Sequence, residues 1–141
     1  MLIHLLFYIK LITIVVKELF MKMKNDTKLL DKKIKKEIKT GNVKSAIELC
    51  QIGLQKDPTN ADLHLRLGDL YLAWHLDIYS SCQYIDEAIT EYQIALESYI
   101  DSYEIYYKIG VAQFYKGDLD KAVNYFETAV KKNPKYAKAY Y

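Results

Sequence analysis

Two stretches of this chain, 61–102 and 103–136, repeat one another, and that self-similarity limits its fold more than any other feature. Aligning Gly68 with Gly110 sets Leu67 beside Ile109, Leu63 beside Ile105 and His64 beside Tyr106. Farther on, Ala88, Tyr92 and Ala95 fall against Ala122, Phe126 and Ala129, at the same offsets of four and three residues. An α-helix returns to one face at those offsets, so each trio forms one stripe. Small residues at Gly110 and Ala122 let two antiparallel helices approach closely, while Tyr106 and Phe126 fill the space beside them. Gly117 can take the left-handed backbone conformation that ends a first helix, Asp118 can cap a second, and Pro134 stops it. With 141 residues, 51% of them apolar and only five Gly and two Pro, there is material for one loop-poor, helix-rich domain.

The unit 103–136 resembles the tetratricopeptide repeat in Tyr106, the Ile109-Gly110 pair, Ala112, the Gly117-Asp118 turn, the Ala122, Phe126 and Ala129 stripe and the closing Pro134. The resemblance implies an all-α, right-handed superhelix, a solenoid of about three helical hairpins plus an N-terminal helix. Gln113 departs from the pattern, because the family usually has an aromatic there, and looser packing is expected around it. The middle unit, 61–102, carries Leu67, Gly68, Tyr71, Ala88, Tyr92 and Ala95, but its second half arrives eight residues late. Extra helical turns around a bend near Asp77 to Ser81 accommodate the insertion, with Ser80 and Gln83 at capping-box spacing. Ile100 replaces the usual Pro, so Asp101, with Glu104 three residues on, is expected to cap the next helix.

The first unit, 27–60, is degenerate. Gly41-Asn42, Ala46, Gly53, Asp57 and Pro58 keep the register, but Ile34 stands where the small residue belongs and Cys50 stands where Tyr92 and Phe126 do. Its first helix, from about Thr27 to Thr40, reads as the polar cap of the stack, since terminal repeats expose one side to water. After Pro134, residues 137–141 open like a further unit. That leaves the outer face around Phe126 and Val130 uncovered, which fits a fragment of a longer array, or a covering partner, or self-association through the uncapped C-terminal end.

Residues 1–24 are different in kind. Leu2 to Val16 is nearly all apolar, broken by His4, Lys10 and Thr13. A span takes about 20 apolar residues, so the stretch is short for crossing a membrane. Lys10, Thr13, Lys17, Lys24 and Lys28 fall on one narrow helical stripe, which allows an amphipathic helix on a membrane or across the repeats. Three readings stay open: membrane association through residues 1–20, a helix laid across the repeats, or a spurious extension with Met21 or Met23 as the true start. If the stretch is an anchor, its Lys-rich flank stays on the cytoplasmic side. A cytoplasmic setting also fits the two cysteines, Cys50 and Cys82, which form no disulfide framework.

Charge is divided along the chain. Residues 1–44 hold 11 Lys against 4 acids, 45–104 hold 2 basic groups against 11 acids, and 105–141 hold 7 Lys against 3 acids. Nucleic acid is not an expected partner, because Arg66 is the only Arg and bidentate readout of phosphates and bases favours Arg. Phosphate-loop, nucleophile-elbow and zinc-protease motifs do not occur, so no reaction, cofactor or metal is expected. His64 reads as a partly buried structural histidine. His75 with Cys82 makes a poor metal pair without a third ligand.

Carried over by position, the resemblance implies a concave groove lined by Leu65, Asp69, Leu72 and Ala73 of the middle unit and by Glu104, Tyr107, Lys108, Val111, Phe114 and Tyr115 of the last. Aromatic residues beside acids suit a peptide with apolar and basic side chains. The family's carboxylate clamp, which holds acidic C-terminal tails of chaperones, maps onto Asp31, Lys35, Arg66, Glu104 and Lys108. Only Lys108 conforms, so such tails are not expected ligands. The expected function is a protein–protein interaction scaffold or adaptor. Its alternatives are the targeting portion of a larger glycosyl- or methyltransferase and a membrane-associated assembly factor.

Overall fold

The computed structural model describes residues 1–78 and 83–137. Among them are seven helices and no strand: α1 (Leu2–Lys39), α2 (Val43–Lys56), α3 (Ala61–Ile78), α4 (Gln83–Ser98), α5 (Tyr103–Lys116), α6 (Leu119–Lys132) and the short α7 (Pro134–Ala137). Each helix packs on the next, α1 on α2, α2 on α3 and so on, which is the order of stacked hairpins. One apolar core runs through the stack from Ile34 to Ala112.

The two repeat stripes meet as their spacing predicts. Gly68, Ala88, Gly110 and Ala122 are all buried. A methyl group on Gly68 would lie 2.6 Å from the Tyr92 ring, and one on Gly110 would lie 2.7 Å from the Phe126 ring. Each aromatic therefore occupies the space that its partner glycine leaves empty. Gly117 ends α5 at φ 88°, in the left-handed region. Asp118 then caps α6, its side chain accepting a hydrogen bond from the Lys121 N–H at 3.3 Å.

The middle hairpin is longer than the last: α3 runs 18 residues and α4 16, against 14 each for α5 and α6. The bend between α3 and α4, the Ser80 and Gln83 capping box, the pairing of His75 with Cys82 and the segment after Ala137 lie outside the described residues. Asn60 starts α3, its side-chain oxygen accepting from the Leu63 N–H at 3.1 Å.

Two details differ from the sequence reading. Residues 1–24 and the first helix of the first unit form one unbroken helix of 38 residues, α1, about 57 Å long. Asn25-Asp26-Thr27 does not interrupt it, because no Gly or Pro occurs before Gly41 and an established helix propagates through residues of middling propensity. The other is Asp101, which does not cap α5. Ser102 occupies that position without a side-chain cap bond, and the Asp101 carboxylate instead accepts from Lys132 Nζ at 2.8 Å.

Candidate functional site

The groove residues come from α3 and α5, the first helices of the second and third hairpins. Ion pairs bridge these helices and α1. Arg66 of α3 reaches Asp31 of α1 at 2.6 Å, and Lys108 of α5 reaches Asp69 of α3 at 2.6 Å. Arg66 and Lys108 are equivalent positions, each two residues before its unit's glycine. In both, the cation reaches back to an acid on the preceding first helix. Lys35 shares Asp31 at 2.7 Å, and the Lys35 and Arg66 side chains together hold that carboxyl below the usual carboxylate range.

Asp69 has a second donor, the Tyr92 hydroxyl at 2.7 Å. Burial, with the Asp69 carboxylate beside it, raises the Tyr92 hydroxyl far above the ordinary tyrosine range. Lys108 Nζ also sits 6.0 Å from the centroid of the Tyr92 ring. The one side chain that conforms to a carboxylate clamp is thus engaged by an acid of the chain itself.

The apolar groove positions divide into two groups. Leu65 and Leu72 are half-buried and pack against the core. Tyr107 is half-buried, its ring 5.5 Å from that of Phe126, and Val111 is half-buried too. Phe114 and Tyr115 stand out into solvent, 56% and 47% exposed, with their rings 5.9 Å apart edge to face. Glu104 is exposed at the other end of α5, and Ala73 is exposed on α3. The structure therefore joins Asp69 directly to Lys108, sets Val111 beside the exposed pair at the C-terminal end of α5, and leaves Glu104 apart. The sequence reading missed Asp31 as the partner of Arg66. The lone Arg of the chain was the available signal.

Elsewhere the candidate residues are structural. His64 is buried, with Nδ1 2.5 Å from Glu91 Oε2 and Nε2 2.8 Å from the Pro58 carbonyl oxygen. Burial alone would lower its pKa, but the Glu91 and Pro58 acceptors outweigh burial and raise it. Cys50 is fully buried, and burial pushes its thiol up to about 11, far from a reactive thiolate. Gln113 is 6% exposed and its side-chain oxygen has no hydrogen-bond partner among the described residues. No cluster of three or more His, Cys, Asp or Glu side chains among the described residues could hold a metal ion.

Stacked hairpins with glycine-to-aromatic packing point to one family, and the comparisons agree. The tetratricopeptide repeat profile matches residues 103–136. Residues 103–136 are a tetratricopeptide repeat, and the stack as a whole has the fold of such repeats. Its fold is similar to a crystal structure of MamA, at 27% identity and a TM-score of 0.61, over 72% of this chain and 55% of that one. It is similar also to the first tetratricopeptide domain of Spaghetti (RPAP3) bound to the HSP90 peptide SRMEEVD, at 22% identity and a TM-score of 0.64, over 75% of this chain and 78% of that one. A human IFIT1 dimer with PPP-AAAA gives 24% identity and a TM-score of 0.64, over 69% of this chain and 23% of that one. The chain spans about half the length of two MamA chains it matches, 55% and 51%. No curated protein sequence matches it significantly. The RPAP3 domain and the IFIT1 dimer share the fold and carry different ligands, so the fold alone does not select a ligand.

Proposed function

We propose that this tetratricopeptide stack is a protein–protein interaction scaffold that seats a peptide segment against the groove face of α3 and α5. The carrying observation is the pair Phe114 and Tyr115, two adjacent aromatic side chains about half exposed at a face whose other large apolar members are half-buried. Aromatic side chains supply large contact area with few rotatable bonds, which is why they dominate binding hot spots. The charged centre of the face is closed by the Lys108–Asp69 pair. A peptide with a terminal carboxylate would have to compete for Lys108 with Asp69, which is itself held by the Tyr92 hydroxyl. An apolar peptide with basic side chains meets no such competition, and Glu104 offers it an acid.

Peptide display against the full chain tests this reading. Selected sequences should be rich in apolar and basic residues, and an acidic tail such as SRMEEVD should not compete with them. Val111→Ala, Phe114→Ala and Tyr115→Ala combined should weaken the selected peptides at least tenfold while far-UV circular dichroism stays helical, since hot-spot truncations cost about 2 kcal/mol or more. Undiminished binding by that triple variant discards the groove.

A further inference from the structure

The N-terminal half of α1 has no packing partner among the described residues. Every residue from 1 to 29 is exposed, and the first α1 side chain buried in the core is Ile34. Fourteen of the nineteen residues from 2 to 20 are large and apolar, and the least exposed of them, Val15, is 46% exposed. Monomeric soluble domains rarely leave so much contiguous apolar surface uncovered. The helix projects rather than folding back over the repeats, so residues 2–20 extend about 28 Å along their axis.

Three occupants compete for this surface: a second copy of the helix, a groove in another protein, or a lipid surface. Helix pairing and groove docking each cover one side of a helix. Here the apolar residues run around nearly the whole circumference, interrupted chiefly by the stripe of Lys10, Thr13 and Lys17. Burial on all sides is what acyl chains provide. The charge pattern agrees. Residues 22–39, on the same helix, hold eight Lys against three acids, and one of those acids, Asp31, is already paired with Lys35 and Arg66. An apolar segment followed by a polybasic one combines two attractions to an anionic lipid surface, apolar burial and charge. No described helix is long and apolar enough to cross a membrane. Lys10 and Lys17 can reach back to headgroups along their own methylene stems, which suits shallow entry.

We infer that α1 is an anchor for an anionic lipid surface, with residues 2–20 entering the headgroup and outer acyl region and the Lys-rich half lying against the charge. Because α1 is continuous into the first hairpin, the repeats are held at the surface by a rigid helix and not by a flexible tether. This inference is independent of the groove.

Co-sedimentation of the full chain with vesicles tests it, using phosphatidylcholine alone and phosphatidylcholine with about 30% phosphatidylserine. Binding is expected to the anionic vesicles and to fall steeply with added salt. Lys24→Gln, Lys28→Gln, Lys32→Gln and Lys36→Gln combined leave the apolar half intact and should weaken binding well over tenfold, at roughly fivefold per lysine. Ile9→Asp with Ile12→Asp and Val16→Asp should abolish it, with helicity and the unfolding midpoint of the repeats unchanged. Equal binding to neutral vesicles, or no binding to anionic ones, overturns the proposal. So does a concentration-dependent dimer in sedimentation velocity that the aspartate substitutions dissolve and anionic vesicles do not.

Discussion

The first and last hairpins solve one packing problem in opposite ways. In the last, the first helix supplies Gly110 and the second supplies Phe126, whose ring lies where a glycine side chain would begin. In the first, the equivalent positions are Ile34 and Cys50, and both are completely buried. The bulk has moved from the second helix to the first. What the fold requires is a filled volume between the helices and not a particular residue at either position, which is how cores tolerate exchange when volume is kept. The motif's glycine is one of two solutions, and a reading that demands it calls the first hairpin degenerate.

Three substitutions break that comparison. Ile34→Ala should be the most damaging, because it empties a fully buried site in a hairpin whose second helix offers only Cys50 at the aligned position. A loss of about 3–5 kcal/mol in urea unfolding is expected. A loss under 1 kcal/mol would mean that the first hairpin contributes little to the stack. Gly110→Ile overpacks the last hairpin against Phe126 and should cost about 3 kcal/mol. Combining it with Phe126→Cys imports the first hairpin's arrangement, so the double variant should lose at least 1 kcal/mol less than the sum of the singles. The rescue stays partial because the Ala122 carbonyl oxygen is 3.3 Å from where the new Cβ must go. Strict additivity would show that the two positions do not share a volume.

The same contrast explains what the sequence could reveal. Offsets of three and four residues encode one helix face, so the stripes, the Gly117 cap and the buried small residues were readable from spacing alone. The continuity of α1 was not, because polar residues resemble a boundary whether or not the helix continues through them. Nor were the partners of the groove charges. Arg66 and Asp31 are 35 residues apart and Lys108 and Asp69 are 39 apart, and periodicity along one helix says nothing about which acid on the neighbouring helix comes within reach. The packing stripes were therefore legible, and the electrostatics of the candidate face were not. Gln113 was readable as a departure, and it is buried in the stack.

A smaller effect separates the middle hairpin from the last. His64 occupies the place of Tyr106, yet both of its ring nitrogens face acceptors, so only the doubly protonated ring satisfies Glu91 and Pro58 together. Its folded-state pKa is raised above 6.5. The stabilisation is thus fully present below the unfolded value and is lost as pH rises through the folded one. Stability should fall by about 1.5 kcal/mol between mildly acidic and alkaline pH, the scale of one hydrogen bond to a charged group. His64→Tyr, which installs the last hairpin's residue, should flatten that slope. A slope unchanged in the variant would assign the pH dependence to another group.

The smallest expected difference lies at the starts of α2 and α6. Asp118 caps α6 through its side chain, and its carboxyl is held below the ordinary range first by the Lys121 ammonium, 2.8 Å away, and further by the Lys121 N–H. Asn42 stands at the same place before α2 but makes no cap bond, its amide donating instead to Glu37 and Thr40. Asp118→Ala should therefore cost about 1 kcal/mol, the usual worth of a side-chain cap. Asn42→Ala should cost a few tenths, because exposed side-chain bonds compete with water. Equal losses at the two sites would mean that Asn42 closes the cap in solution. Each hairpin would then open its second helix in the same way, and the difference between the two would reduce to the exchanged bulk of Ile34 and Phe126.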